Sequence, residues 1–255
     1  MAKFEAKYHY NTDVLREDSE FKWYFMGFVA ADGNLNRSES RLEITINEKD
    51  RALLEEFRNR IVPDKPIYEK PNTNAVRFSI TNKEIVDYII DEIGIPERKS
   101  LTLLFPAVES TQSSIGNASG MPRNMIHHFI RGYFDGDGTW GVKKARRMVD
   151  GDMRYYYGSR MRVLGTAEVL YNISLHFDGR NRKPYKRGNF YSLEMNFSKA
   201  NEFADYIYND ATIFLRRKYD VMNHIRNSDI DQLASNYGTL SGQYNTSASP
   251  MSPNS

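Results

Sequence analysis

The sequence contains no cysteine, which excludes disulfide bonds and thiolate metal ligands throughout its 255 residues. No stretch is apolar for long enough to span a bilayer, and residues 1–10 lack the apolar run of a signal peptide. We therefore expect a soluble, intracellular protein in a reducing compartment, such as a bacterial or phage cytoplasm or an organelle matrix. A hydrophobic fraction of 40% is enough for a substantial core.

A large excess of one charge is also missing, since the formal net charge is only +2. The charges are nevertheless unevenly distributed. Residues 1–120 contain 16 Lys and Arg against 20 Asp and Glu, whereas the remainder contains 19 against 13. The basic excess of the second half is compatible with a nucleic-acid-binding face and equally with chance.

The chain contains an internal repeat. Residues 25–33 (FMGFVAADG) match residues 130–138 (IRGYFDGDG), which aligns Asp32 with Asp137. Each copy is followed by segments in which apolar and polar residues alternate, a pattern that predicts half-buried strands. These segments are 41–47 and 76–81 in the first half, and 160–163 and 191–198 in the second. The repeated order of elements predicts two related halves.

Helix starts are predicted after the later strand of each half. Thr81 and Glu84 form a capping box, and Ser198 can cap the corresponding helix of the second half. Both helices contain Asp-Tyr-Ile, and each is followed by a basic segment that ends in Lys99 or Lys218.

These features divide the chain into four parts. We predict a first half at 1–108, a Ser-, Gly- and Asn-rich linker at 109–121, a second half at 122–234 and a polar, disordered tail at 235–255.

Each repeated motif is predicted to form a helix that ends in Asp-Gly. Ser19 is the expected cap of the first helix and Pro122 the start of the second. We expect Gly33 and Gly138 to end the helices in the left-handed conformation.

Small residues recur four positions apart on each motif helix, as Gly27 with Ala31 and as Gly132 with Gly136. Such stripes allow two backbones to approach closely. If the helices pack in parallel, Asp32 and Asp137 meet where both helix dipoles are negative, and a divalent cation would relieve their repulsion. For one motif alone, an ordinary C-terminal turn would be the simpler interpretation.

Over residues 19–225, the pattern resembles the LAGLIDADG homing endonucleases, whose single-chain members carry two such motifs. The resemblance implies that Asp32 and Asp137 bind metal, with help from the carbonyls of Ala31 and Gly136. It implies that Lys99 and Lys218 are basic catalytic residues, although an exposed surface lysine remains the alternative for each. The first copy departs from the motif at Ala30, where the second has Asp135. That position faces away from the catalytic end in the family.

The resemblance further implies an α+β fold of two αββαββα halves, whose antiparallel sheets form a DNA-binding saddle around central motif helices. It implies a monomer that hydrolyses both strands of a long, asymmetric double-stranded DNA site across the minor groove and leaves short 3′ overhangs. Mg²⁺ or Mn²⁺ is the expected cofactor, and Ca²⁺ is expected to bind without supporting cleavage. Intron, intein and free-standing origins all remain open, although the lack of flanking splicing blocks disfavours an intein.

Polar side chains on the predicted strands are candidates for contacts with DNA bases. In the first half they are Arg41, Glu43, Thr45, Asn47, Arg77, Ser79 and Thr81. In the second half they are Arg160, Arg162, Ser192, Glu194 and Asn196. A solvated strand face is the alternative for each.

Two basic clusters are predicted to occupy hairpin loops and to contact phosphates. The clusters are Lys143, Lys144, Arg146 and Arg147, and Arg180, Arg182, Lys183, Lys186 and Arg187. By contrast, we expect His127 and His128 to be ordinary helix residues, and Tyr155 to Tyr157 to pack in a strand.

Two further functions remain open at this point. The same scaffold could serve as an RNA-binding maturase that assists the splicing of an intron, or as a DNA-binding regulator without activity. The retained aspartate pair argues against an inactive DNA-binding regulator, but it does not argue against a maturase.

Overall fold

The structure is a computed structural model that describes residues 7–109, 120–180 and 182–229. It is an α+β fold of two consecutive halves with the same order of elements. The first half contains α1 (Glu20–Asp32), β1 (Gly33–Asn36), β2 (Arg41–Asn47), α2 (Arg51–Ile61), β3 (Tyr68–Lys70), β4 (Ala75–Thr81), α3 (Lys83–Asp87) and α4 (Lys99–Thr102). The second contains α5 (Ile126–Asp137), β5 (Gly138–Val149), β6 (Asp152–Gly165), α6 (Ala167–Asp178), β7 (Tyr185–Arg187), β8 (Phe190–Asn196), α7 (Ser198–Tyr208) and α8 (Arg216–Asn227). The predicted fold class is confirmed.

Each half builds one four-stranded antiparallel sheet. The strand orders are β1-β2-β4-β3 and β5-β6-β8-β7, so the two sheets have the same topology. Alternation in the sequence places apolar residues such as Leu42, Ile44 and Phe78 on the face that packs under the helices, where all three are buried. The opposite face of each sheet carries the polar positions and is left open.

The motif helices α1 and α5 form the centre of the molecule. A Cβ atom on Gly27 would overlap the carbonyl oxygen of Phe129, and one on Gly132 would overlap that of Tyr24. Further along both helices, Gly136 lies against Ala31. Because these contacts advance in the same direction along both helices, α1 and α5 are parallel and their C-terminal ends lie side by side.

Glycines at the ends of these helices serve a different purpose from the predicted one. Gly33 (φ −70°) and Gly138 (φ −89°) are extended, so the prediction of left-handed caps is wrong. Each helix passes directly into a strand at this point. A Cβ atom would overlap Val29 at the first glycine and Phe134 at the second. Glycine is required there by lack of space.

The helix starts agree with the sequence in part. Ser19 caps α1 as predicted, because its Oγ accepts a hydrogen bond from the backbone N–H of Lys22 at 3.2 Å. Asn82 caps α3 in place of Thr81, which is still paired in β4. Ser198 is the first residue of α7 and does not cap it.

Pro122 precedes a 3-10 turn at Arg123–Met125, so α5 itself starts at Ile126. The ends of the predicted linker are joined, since the backbone N–H of Glu109 donates to the carbonyl of Met121 at 3.1 Å. Residues 110–119 and the predicted tail at 235–255 lie outside the described residues. Among the helices of the described part, none has the length and apolar character needed to cross a membrane.

Candidate active site

Asp32 and Asp137 are the last residues of α1 and α5, and the parallel packing of these helices brings them to one place. Ala31 contacts Gly136, and a Cβ atom on Gly136 would lie 3.4 Å from Oδ2 of Asp32. The absence of a side chain at position 136 therefore lets the two helix ends meet. The result is a pair of acids at the joined negative ends of two helix dipoles.

The pKa values of both acids are raised. Burial raises the pKa of Asp137 to about 6, and the negative charge of Asp32 contributes further. Desolvation of the carboxylate is also the main cause of the raised pKa of Asp32, although the residue as a whole is exposed. Lys99 and Lys218 lower both values without cancelling the effect of burial. A bound cation would favour the charged form of each acid.

Two lysines flank the acids almost symmetrically. The Lys99 ammonium donates to the carbonyl of Ala31 and, at 3.2 Å, to that of Ala30. The Lys218 ammonium donates to the carbonyl of Gly136 at 2.7 Å and to that of Phe134 at 3.3 Å. Both lysines thus lie at the helix ends, beside the residues that the sequence assigned to metal.

Burial lowers the pKa of both lysines. It lowers that of Lys99 to about 8, although Asp137 and Asp32 oppose the change. Lys218 is almost fully buried, and its pKa is lowered as well. Partial burial of these ammonium groups beside the acids strengthens their electrostatic effect.

An ion pair that the sequence did not reveal borders the site. Arg217 donates to buried Asp50 at 2.9 Å between Nη2 and Oδ2. The negative charge of Asp50 contributes to the raised pKa of Asp32, and the positive charge of Arg217 contributes to the lowered pKa of Lys218. The two residues are far apart in the sequence, so neither spacing nor periodicity could have paired them.

We expect the stability of the metal-free protein to depend on pH through Asp137. Because the folded-state pKa, about 6, exceeds the ordinary 3.8, the native state binds the proton more tightly and loses stability as pH rises from about 4 to 6. Asp137→Asn should therefore be more stable than the wild type by about 1–2 kcal/mol at pH 7.5 after partial solvent screening. Urea denaturation in EDTA at pH 7.5 and 4 measures this difference, which should vanish at pH 4. A difference that is independent of pH would contradict the assigned cause.

Asp135, which replaces Ala30 of the first copy, is buried away from the aspartate pair. Its carboxylate accepts hydrogen bonds from the hydroxyls of Tyr24 at 2.9 Å and Tyr208 at 2.6 Å. It also accepts one from the backbone N–H of Leu215 at 2.7 Å, immediately before α8. Asp135 therefore links both motif helices to the start of the helix that carries Lys218.

Asp135→Ala is expected to lower the free energy of unfolding by about 3 kcal/mol or more, because it leaves three buried donors without an acceptor. Chemical denaturation at pH 7.5 measures this loss. Asp220→Ala, which removes an exposed carboxylate from α8, is the control and should change stability by less than about 0.5 kcal/mol. Equal effects of the two substitutions would contradict the structural role of Asp135.

The open face of the first sheet carries the predicted base-contacting residues. Cross-strand pairing places Arg41 opposite Thr81, Glu43 opposite Ser79 and Thr45 opposite Arg77, and Asn47 follows at the end of β2. Arg77 approaches Glu43 at 3.4 Å. These side chains share one surface and are half-buried to exposed.

The open face of the second sheet resembles that of the first, with one exception. Arg160 lies opposite Asn196, and Arg162 pairs with Glu194 at 3.0 Å. Ser192 is only 2% exposed, so its predicted accessibility is wrong. Larger residues, Leu164 and Tyr185, lie opposite this small side chain in the two neighbouring strands.

The first basic cluster lies on a two-stranded ribbon and not in a loop. Strands β5 and β6 pair as far as Val149 and Asp152, well beyond the rest of the sheet. Lys143 and Arg147 share the face of Arg160, whereas Lys144 and Arg146 point to the opposite side. The four basic residues of this cluster therefore alternate between two faces of the ribbon.

The tyrosines of this ribbon differ from the expectation of packed side chains. Tyr155 and Tyr156 are exposed, and only Tyr157 packs against the core. The Lys144 ammonium lies 4.2 Å from the centre of the Tyr155 ring. The ribbon thus combines cations with aromatic surface.

The second basic cluster is divided between a connection and a strand. Arg180, Arg182 and Lys183 follow α6, whereas Lys186 and Arg187 lie in β7. Arg182 pairs with Asp178 at 2.9 Å, so part of this positive charge is neutralised. Lys183, Lys186 and Arg187 are exposed.

Comparison with known sequences gives one limited match. No family model matches the chain. It is 23% identical over 216 residues to the reverse gyrase of Methanocaldococcus jannaschii, a match that covers 80% of this chain and 11% of that protein. The chain thus spans about a tenth of the length of the curated relative that it matches.

Comparison with solved structures defines the fold. The LAGLIDADG meganuclease I-AabMI, bound to uncleaved DNA, matches with a TM-score of 0.56 and 14% identity over 86% of this chain and 98% of its own. The LAGLIDADG homing endonuclease I-LtrWI, bound to target DNA, matches with a TM-score of 0.56 and 13% identity over 90% of this chain and 99% of its own. I-SmaMI, bound to an uncleaved DNA target in the presence of calcium ions, matches with a TM-score of 0.51 and 12% identity over 86% of this chain and 98% of its own. The chain therefore has the fold of the LAGLIDADG homing endonucleases.

Proposed function

We propose that this chain is a metal-dependent, site-specific endonuclease that cleaves both strands of DNA. The proposal depends above all on Asp32 and Asp137, which close packing of α1 against α5 delivers to one place beside buried Lys218 and half-buried Lys99. Paired acids whose pKa values are raised by burial are frequent at catalytic centres. The open polar faces of two similar sheets supply a surface of the kind that binds DNA.

The oxygen atoms at the helix ends suit a hard divalent cation, and Mg²⁺ or Mn²⁺ is the proposed cofactor. Asp32, Asp137 and the carbonyls of Ala31 and Gly136 would hold it. Each carbonyl has two lone pairs, so it can accept a hydrogen bond from its lysine and still serve as a ligand. When bound, such an ion activates water and stabilises charge on a phosphodiester.

The contribution of the protein's own groups is positional and electrostatic. The glycine contact between the helices holds the two carboxylates together, the negative helix ends would favour a cation there, and the lysine ammonium groups face the same space from both sides. Lys99 and Lys218 would stabilise negative charge that develops on the phosphate oxygens or orient the attacking water. Ca²⁺ is proposed to bind the same oxygens without supporting cleavage. The crystallisation of I-SmaMI with uncleaved DNA in the presence of calcium ions is consistent with this view.

DNA recognition is assigned to the open faces of both sheets. Arg41, Arg77, Arg160 and Arg162 would contact base edges in the major groove, and the exposed lysines and arginines of the β5–β6 ribbon and β7 would contact phosphates. Because the two halves present different side chains, a single chain would read a long, asymmetric site. Cleavage across the minor groove with short 3′ overhangs completes the proposal.

Selection from a randomised DNA library tests this function. Purified protein and Mg²⁺ should enrich one asymmetric sequence family, and mapping of both strands should show staggered cuts with 3′ overhangs. Blunt cuts, or 5′ overhangs, would contradict the proposed geometry. Absence of cleavage together with tight, specific binding of intron RNA would instead support the maturase alternative.

Replacement of the lysines tests their proposed role. Lys99→Met and Lys218→Met should each lower the single-turnover cleavage rate by about a hundredfold at saturating Mg²⁺, because each removes a cation from the reaction space. Lys83→Met, which removes an exposed lysine from α3, is the matched control and should cleave normally. Full activity of the Lys99→Met and Lys218→Met variants would contradict the role assigned to these lysines.

A further inference from the structure

A second group of metal-ligating side chains lies at the opposite end of α5 from Asp137. His127 and His128 are in the first turn of that helix, and Asp210 lies in the connection between α7 and α8. One ligand atom from each residue can be chosen so that all three lie within 4.8 Å of one another. Nε2 of His127 is 2.9 Å from Oδ2 of Asp210, and the two imidazole rings are 3.9 Å apart between centroids.

His128 is the unusual member of this group. It is only 6% exposed, yet its Nδ1 has no hydrogen-bond partner. A buried polar atom without a partner is costly and calls for an explanation, such as an ion. An imidazole nitrogen that is not protonated can bind a metal ion.

We propose that His127, His128 and Asp210 bind one divalent transition-metal ion, with zinc as the best fit, at a site separate from the aspartate pair. Two imidazoles and one carboxylate suit Zn²⁺, whereas Mg²⁺ prefers oxygen ligands alone. Ligand atoms around tetrahedral zinc, bound at about 2.0–2.2 Å, are closer together than the present cluster. The half-exposed Asp210 side chain can rotate to close it.

The surroundings permit a cation at this position. The positive charge of Arg131, three residues after His128 on the same helix, is already compensated by an ion pair with Glu20 and by hydrogen bonds to the carbonyls of Ile207 at 2.8 Å and Ile213 at 3.0 Å. The ring of Tyr206 lies 6.0 Å from that of His127 and covers one side of the cluster.

The ion would fasten the connection between α7 and α8 to α5. Because α5 runs without interruption from this cluster to Asp137, the two metal sites would lie about 15 Å apart along one helix. The zinc ion would therefore stabilise the arrangement of helices that surrounds the aspartate pair, without contact with DNA.

Titration with ZnCl₂ in excess Mg²⁺ tests this proposal, because Mg²⁺ occupies the oxygen site and leaves the histidine site free. Isothermal titration calorimetry should give one Zn²⁺ per chain, and saturating Zn²⁺ should raise Tm by about 5 °C. Co²⁺ in place of Zn²⁺ should give the intense visible absorption of a tetrahedral site. None of these measurements depends on DNA cleavage.

Variants decide the location of the ion. Asp210→Asn, which can keep the hydrogen bond to His127, and His127→Ala should both lose zinc binding and the rise in Tm. Two controls should retain both: His224→Ala, which removes an exposed histidine, and the double variant Asp32→Asn/Asp137→Asn. Unchanged zinc binding in Asp210→Asn and His127→Ala, no zinc binding by the wild type, or loss of binding in the double aspartate variant would each overturn the proposal.

Discussion

Asp137→Asn is expected to lower the single-turnover rate of DNA cleavage by at least about a thousandfold, with DNA binding changed by less than about fivefold. A thousandfold loss corresponds to about 4 kcal/mol of transition-state stabilisation, which is the scale of a metal-ion contribution to catalysis. Asparagine preserves the shape of the side chain but removes the negative charge that would bind the ion. Asp32→Asn should behave in the same way, because both acids would hold the same cation.

The measurement requires a cleavage site from the library selection, Mg²⁺ at saturation and enzyme in excess over DNA. Gel-shift titration in Ca²⁺ measures binding without cleavage. Asp220→Asn, which replaces an exposed carboxylate on α8 with a carboxamide, is the control and should cleave at the wild-type rate. If Asp32→Asn or Asp137→Asn cleaves normally in Mg²⁺, the assignment of metal to the aspartate pair is wrong.

Gly132→Ala is expected to destabilise the protein by about 3 kcal/mol or more, or to prevent folding. The added Cβ atom would overlap the backbone carbonyl oxygen of Tyr24, and a backbone atom in a packed helix cannot move aside as a side chain can. Gly27→Ala should have a similar effect, since its Cβ atom would overlap the carbonyl of Phe129. Urea denaturation followed by circular dichroism measures the loss.

Gly151→Ala is the matched control for these substitutions. This glycine has φ +88° and open space around it, so its replacement introduces backbone strain but no overlap. The expected loss is about 1 kcal/mol. If Gly132→Ala lowers the free energy of unfolding by no more than Gly151→Ala does, α1 and α5 are not packed as closely as the structure requires.

Local pattern was enough to predict most of the fold. The repeat that aligns Asp32 with Asp137 predicted two equivalent halves, and alternation of apolar residues predicted strands that the structure contains at Arg41–Asn47 and Phe190–Asn196. The small residues on each motif helix predicted the close contact between them. These predictions were possible because the periodicity of apolar residues and the spacing of small residues are set within a single helix or strand.

The details of helix ends could not be predicted in the same way. Gly33 and Gly138 follow their helices as left-handed caps commonly do, but each is extended because a strand begins at once and its Cβ atom has no space. Whether Thr81 or Asn82 caps α3 depends on where the preceding strand ends, and β4 includes Thr81. Tertiary packing decided both cases.

The surroundings of the candidate site depend on contacts between distant parts of the chain. The motif position that holds Ala30 in the first copy looked neutral, yet its counterpart Asp135 accepts hydrogen bonds from Tyr24, Tyr208 and Leu215. The pair of Asp50 with Arg217 joins the two halves. No spacing in a single sequence encodes such pairs.

A crystal structure of the protein with its selected DNA site and Mn²⁺, measured with X-rays near the manganese absorption edge, would test directly whether the two aspartates share a metal ion. We expect an anomalous peak within about 2.5 Å of carboxylate oxygens from both Asp32 and Asp137, next to a DNA phosphate. Carboxylates that bind no common ion, or manganese held only elsewhere on the protein, would contradict this expectation.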